Sequence, residues 1–294
     1  VNTFAHTPLS SSQGVLAAFI LTSIALAGMP SVATADLLAY GPFNMESGGS
    51  IAGTSSTSPG IWPTVGQTWS VAGGSVDVSA GSLSLPAGVV GLPTDGNRAV
   101  LNNTGSQVSA SRSLGTNYSS ASTLWFSYLF TQTNSNNANG NNDGISLFGS
   151  GVERIFFGSD GGGDFVIRAI SGQSVSGADA FANTGVKASN GVTRQLVVNI
   201  DPIIGYTMWV DPTGTNSAGT PTGGTSASLV SSLQQFNFDT INLRGDDPVN
   251  VIGSVIFDEF RMGTTASAVV PEPSTYALLL MTAAGALWMT RRRR

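Results

Sequence analysis

Residues 122–130 read STLWFSYLF. Leu124, Phe126, Tyr128 and Phe130 fall on one face of an extended chain and Trp125, Ser127 and Leu129 on the other, because strand side chains alternate. The stretch is too short and too aromatic for a helix. Large groups on both faces mark a strand in the middle of a sheet rather than at its rim. It predicts a β domain around it.

Outward from that strand the pattern stays β. Residues 144–148, 154–158 and 164–170 follow as a meander. Residues 194–201 and 206–210 alternate about the turn 202–205 and predict a hairpin. Residues 240–244 and 253–262 supply the last strands. On the other side lie a first strand at 37–43 and short pieces at 75–78, 82–85 and 99–101, punctuated by Gly and Pro. Residues 212–228 read as a loop too polar and Gly-rich to pack. Many short strands without an amphipathic helix predict an all-β fold, an antiparallel two-sheet sandwich. Both ends of the domain contribute strands, which places the first and last near each other.

Composition narrows the function. The 294 residues are 41% apolar and 10% charged, with 37 Gly. That is too apolar for a disordered chain and suits strands joined by small-residue turns. Without the four terminal arginines the formal charge falls from −5 to −9, so nucleic acid is excluded as a partner of the body. There is no cysteine, hence no disulfide, thiolate nucleophile or Cys-ligated zinc. The one histidine, His6, lies in a segment expected to be removed. The remainder has no imidazole for Ser-His-Asp or Cys-His catalysis or for binding a metal.

The two ends carry signals. Residues 15–27, VLAAFILTSIALA, precede Gly28, Pro30 and the small-x-small site Ala33-Thr34-Ala35. This predicts a secretory signal peptide over 1–35, read by the Sec translocon and cut after Ala35. No Lys or Arg precedes the apolar run, and the chain opens on Val1, which reads as a misplaced or alternative translation start. At the other end stand Pro271-Glu272-Pro273, an apolar run over 276–289, and Arg291, Arg292, Arg293 and Arg294. An apolar run followed by arginines halts a chain in a membrane with its basic end in the cytoplasm. Residues 275–290 make about 24 Å of helix where a hydrocarbon core spans about 30 Å. Snorkelling arginines and local thinning can close that gap. The segment suffices to stop transfer and is short for a lasting anchor.

These three parts, in order and spacing, resemble the PEP-CTERM sorting signal of Gram-negative bacteria. The resemblance implies an exosortase partner, a membrane-embedded cysteine protease-transpeptidase that removes the tail near Pro271, Glu272 and Pro273. It further implies a transient stay in the inner membrane, then the cell surface or extracellular matrix, in cells that make exopolysaccharide and biofilm. A second resemblance lies in the body. LLAYGPF at 37–43, STLWFSYLF at 122–130, LVVNIDPIIGYTMWVDP at 196–212 and IFDEFRMGTT at 256–265, in that order, resemble the concanavalin A/LamG-like jelly-roll passenger common in PEP-CTERM proteins. The implied organisation is a signal peptide at 1–35, a jelly-roll sandwich at 36–265, and a linker with the sorting signal and its transmembrane helix at 266–294.

Candidate chemistry in the body is sparse. Retaining glycoside hydrolysis needs two carboxyl groups about 5 Å apart, and the nearest approach in sequence is Asp258-Glu259, whose side chains strand alternation sends to opposite faces. A structural role, with one of them inward and satisfied by backbone or Arg261, is read ahead of catalysis, and no catalytic residue is assigned. Residues 134–144 (NSNNANGNNDG) and 159–164 (SDGGGD) offer oxygens for a structural calcium, with Asp160 and Asp164 the first candidates and Asp143 the second. Tight turns select the same residues, and that reading comes first. For glycan binding, Trp62 and Trp69 sit in a Pro/Gly-rich segment free to face solvent, whereas Trp125 and Trp209 sit in strands and read as core. The functional reading is an exported, non-enzymatic envelope or matrix protein. A lectin-like module, with or without calcium, is the alternative, and a glycoside hydrolase or lyase a remote third.

Overall fold

A computed structural model describes residues 37–41, 43, 49–53, 67–89, 96–103, 107–133, 142–170, 180–216, 219–230, 236–245 and 253–270. All of them belong to one compact unit that begins at Asp36. In chain order its strands are β1 (Leu37–Gly41), β2 (Ser70–Ala72), β3 (Ser75–Ala80), β4 (Asn97–Asn103), β5 (Val108–Ser119) and β6 (Leu124–Gln132). Then come β7 (Asp143–Gly149), β8 (Val152–Ser159), β9 (Asp164–Ala169), β10 (Ala180–Lys187), β11 (Arg194–Asp201) and β12 (Gly205–Val210). The last are β13 (Gly214–Thr215), β14 (Pro221–Thr222), β15 (Thr225–Val230), β16 (Asn237–Gly245) and β17 (Gly253–Gly263), closed by a short helix, α1 (Ala266–Val269).

Two antiparallel sheets face each other. One runs β15-β12-β11-β6-β17-β4-β3 with β1 also paired to β17, and the other runs β10-β9-β8-β7-β16-β5-β2. The chain changes sheet between β1 and β2, β2 and β3, β4 and β5, β5 and β6, β6 and β7, β10 and β11, β15 and β16, and β16 and β17, the winding of a jelly roll. The expected all-β sandwich is therefore the architecture. The first strand meets the last, with Leu37 opposite Gly263 and Gly41 opposite Phe260.

The strand β6 lies in the middle of its sheet, between β11 and β17, and every residue in it is buried. Its inner face, Leu124, Phe126, Tyr128 and Phe130, enters the single large core with Phe157, Phe165, Phe238 and Phe257. The Tyr128 hydroxyl donates to the Phe157 carbonyl of the opposite sheet at 2.8 Å, so its one polar atom is satisfied inside. Its outer face is covered because other segments fold back over it. Leu129 packs with Leu83 and Ile256. Trp125 stacks on Trp209, with ring centroids 5.7 Å apart and planes at 21°.

Three expectations change. Residues 82–85 form no strand; they run as an extended cover over that outer face, with Leu83 buried against Leu129. The span 212–228 is not an unpacked loop. It holds β13, β14 and most of β15, an edge strand that pairs with β12 and turns Ala227 and Leu229 inward. Trp125 and Trp209 lie outside the core cluster and pair with each other on the outer face.

Candidate functional site

The C-terminal attachment is the part of the domain nearest to the expected sorting signal. After Gly263 the chain folds back across the outer face of β6 as α1, whose Ala266, Ala268 and Val269 are buried. Ser127 Oγ donates to the Val269 carbonyl at 2.7 Å, and the Val270 N–H donates to the Ala266 carbonyl at 2.8 Å. Small Ala and Val side chains let this one-turn helix lie close to the sheet. Val270, the last described residue, is fully buried. Of the segment 266–294 expected as linker and sorting signal, residues 266–270 pack against the sheet. Pro271, Glu272, Pro273, the apolar run and Arg291 to Arg294 lie outside the described residues, as do Ala33 and Ala35. Among the described residues no helix is long and apolar enough to cross a membrane.

Just before this attachment, β17 changes neighbour. Gly253 to Phe257 pair with β4 and Phe260 to Gly263 with β1. Between them the strand bulges. Asp258 faces Leu129 and Arg261 faces Ser127, three steps on β17 against two on β6. Glu259 takes up the extra residue with φ of 51°. Both carboxylates are fully buried. Asp258 accepts the N–H of Leu83 at 2.7 Å and that of Glu259 at 2.8 Å. Glu259 accepts the Tyr40 hydroxyl at 2.9 Å, and its Oε2 lies 3.7 Å from Arg261 Nη2. The Arg261 guanidinium sits over the Tyr40 ring, 4.8 Å from its centroid. Burial pushes the Asp258 carboxyl up to about 7, with the Glu259 charge adding to it and the Leu83 N–H opposing it. Burial and the Glu259 charge raise the Tyr40 hydroxyl to about 12. Each carboxylate faces groups of its own fold, and together they join β1, β17 and the 82–85 cover at the point where β17 exchanges partners.

The expected calcium residues come together only in part. Asp160 Oδ1 accepts the N–H of Gly162 at 2.9 Å and of Asp164 at 3.0 Å, which closes a tight turn. Asp164 accepts the Asn183 amide at 3.0 Å and lies 3.3 Å from Lys187 Nζ, which also donates to the Gly162 carbonyl at 2.9 Å. These partners hold the Asp164 carboxyl below its usual range, the Asn183 hydrogen bond first. A lysine ammonium thus stands against the oxygens proposed for a cation. Asp143 is buried at the start of β7, opposite Ser159. Among the described residues no three Asp, Glu, His or Cys stand grouped to hold a metal.

Trp69 does not face solvent. It is 2% exposed, 6.1 Å from the Phe43 ring, with Arg112 5.8 Å over its face. The Pro/Gly-rich flank spoke for its backbone and not for its side chain. Trp62 lies outside the described residues. A surface feature the sequence reading missed is a cleft of about 330 Å³ on the outer side of β9 and β10, lined by Asn142, Asp160, Gly161, Val166, Arg168 and Phe181. Arg168 lies 5.8 Å from the Phe156 ring centroid and donates to Asn142 Oδ1 at 3.4 Å. Phe181 is 63% exposed. The sequence carried no signal for it, because the exposure of Phe181 follows from its place on β10, a strand the hydrophobic pattern does not reveal.

The profile of the PEP-CTERM protein-sorting motif matches residues 269–294. A search of curated proteins returns no match. Among solved structures the chain is similar to the globular domain of T. cruzi calreticulin (TM-score 0.46, 14% identity, 77% of this chain and 95% of that one). It is also similar to the binding domain of Botulinum neurotoxin serotype G (TM-score 0.43, 12% identity, 67% of this chain and 45% of that one). A third is the binding domain of Paraclostridial Mosquitocidal Protein 1 (TM-score 0.41, 16% identity, 65% of this chain and 44% of that one). The chain thus spans less than half the length of the two toxin chains.

Proposed function

We propose that this chain, which carries a PEP-CTERM sorting motif, is an exported, non-enzymatic envelope or matrix protein whose jelly-roll domain is delivered by its two ends. The observation that carries the reading is the match over residues 269–294. The signal segment at 1–35 starts translocation, and the apolar run holds the chain in the inner membrane with the arginines inside. An exosortase then cuts near Pro271 to Pro273, and the domain passes to the cell surface or to an exopolysaccharide or biofilm matrix. The fold supports this order of events, because the Pro-Glu-Pro motif follows directly in sequence on Val270, which is buried after α1. The buried carboxylates of β17 serve the sheet, which supports a role without turnover. The test is C-terminal peptide mapping by mass spectrometry in cells with and without exosortase. Mature extracellular protein should lack Arg291 to Arg294 only when the enzyme is present; an intact C-terminus on all of it would sink the reading.

A second reading, glycan binding, is favoured by the cleft beside Phe181, where an exposed ring, a guanidinium and an amide converge. Such a set suits an acidic sugar. Titration with exopolysaccharide fragments should show binding that Phe181→Ala weakens about 5-fold or more, the scale of one lost ring contact. Equal binding by both proteins, or none by either, removes this reading.

A further inference from the structure

The turn between β11 and β12 presents two adjacent isoleucines to solvent, Ile203 at 81% exposure and Ile204 at 64%. They are held out rather than loose. Asp201 Oδ1 accepts the N–H of both at 2.8 Å, and Asp201 pairs with Gly205 to close the hairpin. Rigid, uncharged, branched apolar side chains at a turn run against the usual polar make-up of turns and mark a surface that leaves water elsewhere.

Register places the turn at the end of the sandwich where the domain's chain ends gather. Ile200 faces Leu124, the first residue of β6; Trp125 faces Gly263, the last residue of β17; Gly263 faces Leu37, the first residue of β1. Val152, 49% exposed at the start of β8, is at the same end. It pairs with Gly149, which lies against Asn237, which in turn faces Ser119 at the end of β5. Val192, 40% exposed, stands at the opposite end, next to Gly191, whose N–H donates to Gln132 at the end of β6.

Chain length supplies the second observation. Val269 is fixed over Ser127, and the apolar run begins at Tyr276. The seven steps from one to the other reach at most about 24 Å when extended. Ser127 faces Val197 on β11, and the turn begins at Pro202, five residues further along and so also about 17 Å away. An extended link is long enough to bring the start of the apolar run level with the two isoleucines. The turn thus lies within the distance at which a bilayer holding the run can stand.

We propose that the β11–β12 turn is a membrane contact, with Ile203 and Ile204 entering the interface of the same bilayer that holds the C-terminal segment. The contact stands the sandwich on the membrane by the end at which Gly263 faces Leu37. It rests on the reading of the tail as membrane-held, and the test separates the two. The chain has no cysteine, so a single introduced thiol is a unique label. Full-length protein carrying Ile203→Cys, Val192→Cys or Ala284→Cys is labelled with an environment-sensitive fluorophore and reconstituted into phosphatidylethanolamine/phosphatidylglycerol vesicles containing spin-labelled lipid. The probes at 203 and 284 should each lose more than about half their emission to the lipid quencher, as interfacial and inserted groups do, while the probe at 192 keeps its emission. Quenching at 284 with 203 as bright as 192 overturns the membrane contact and leaves the tail reading standing. No quenching at either 203 or 284 overturns both.

Discussion

Glu259 holds a backbone conformation, φ of 51°, that costs a residue with a Cβ about 1–3 kcal/mol. The hydrogen bond from Tyr40 and the nearby Arg261 guanidinium hold it there. Its neighbour Asp258 carries the pH dependence. With a folded pKa of about 7 against 3.8 unfolded, the native state keeps a proton between those values that the unfolded state releases. Native stability therefore falls as pH rises through that window and levels off above it, by at most about 4 kcal/mol at about 1.4 kcal/mol per unit. Urea midpoints measured from pH 4.5 to 8 should decline for the natural chain and run flat for Asp258→Asn; parallel curves would refute the assignment. The sequence reading put a structural role for this pair ahead of catalysis and named Arg261 as a partner. It did not show that both carboxylates are buried, because one extra residue at a position without glycine breaks the alternation from which opposite faces were inferred.

At the scale of elements, legibility followed amplitude. The aromatic alternation of β6 and the β11–β12 hairpin could be read directly. The strands β5, β10 and β15 could not, because their inward positions are small or even charged. In β5 the inward series is Val108, Ala110, Arg112 and Leu114, against Ser109, Ser111 and Ser113 on the other side. An arginine in that series, folded over Trp69, hides the strand from any hydrophobic count. The strand β15 lies at a sheet edge, where pairing on one side and a polar outer row suffice and also discourage further pairing. For α1, a run of Thr, Ala, Ser and Val has too little bulk to announce burial. Its place was set by the space left over β6 beside Trp125, a tertiary fact.

Over the whole molecule, β17 is the strand on which the larger sheet depends. It pairs with β6 on one side and with β4 and β1 on the other, so without it the sheet falls into three pieces, β15-β12-β11-β6, β4-β3 and β1 alone. A chain ending at residue 252 should show no cooperative melting transition by circular dichroism, whereas one ending at Val270 should melt as the full-length protein does. A cooperative transition in the shorter chain would contradict this. Neither end carries a disulfide to hold an incomplete sheet together.

That dependence sets a schedule. A chain threaded through a translocon from its N-terminus delivers β1, β4 and β6 long before β17, and residues 253–263 are among the last to cross before the apolar run arrives. Until then the sheet keeps an open slot at its centre and the domain cannot lock. On the proposed export route, folding is therefore completed at about the moment transport ends.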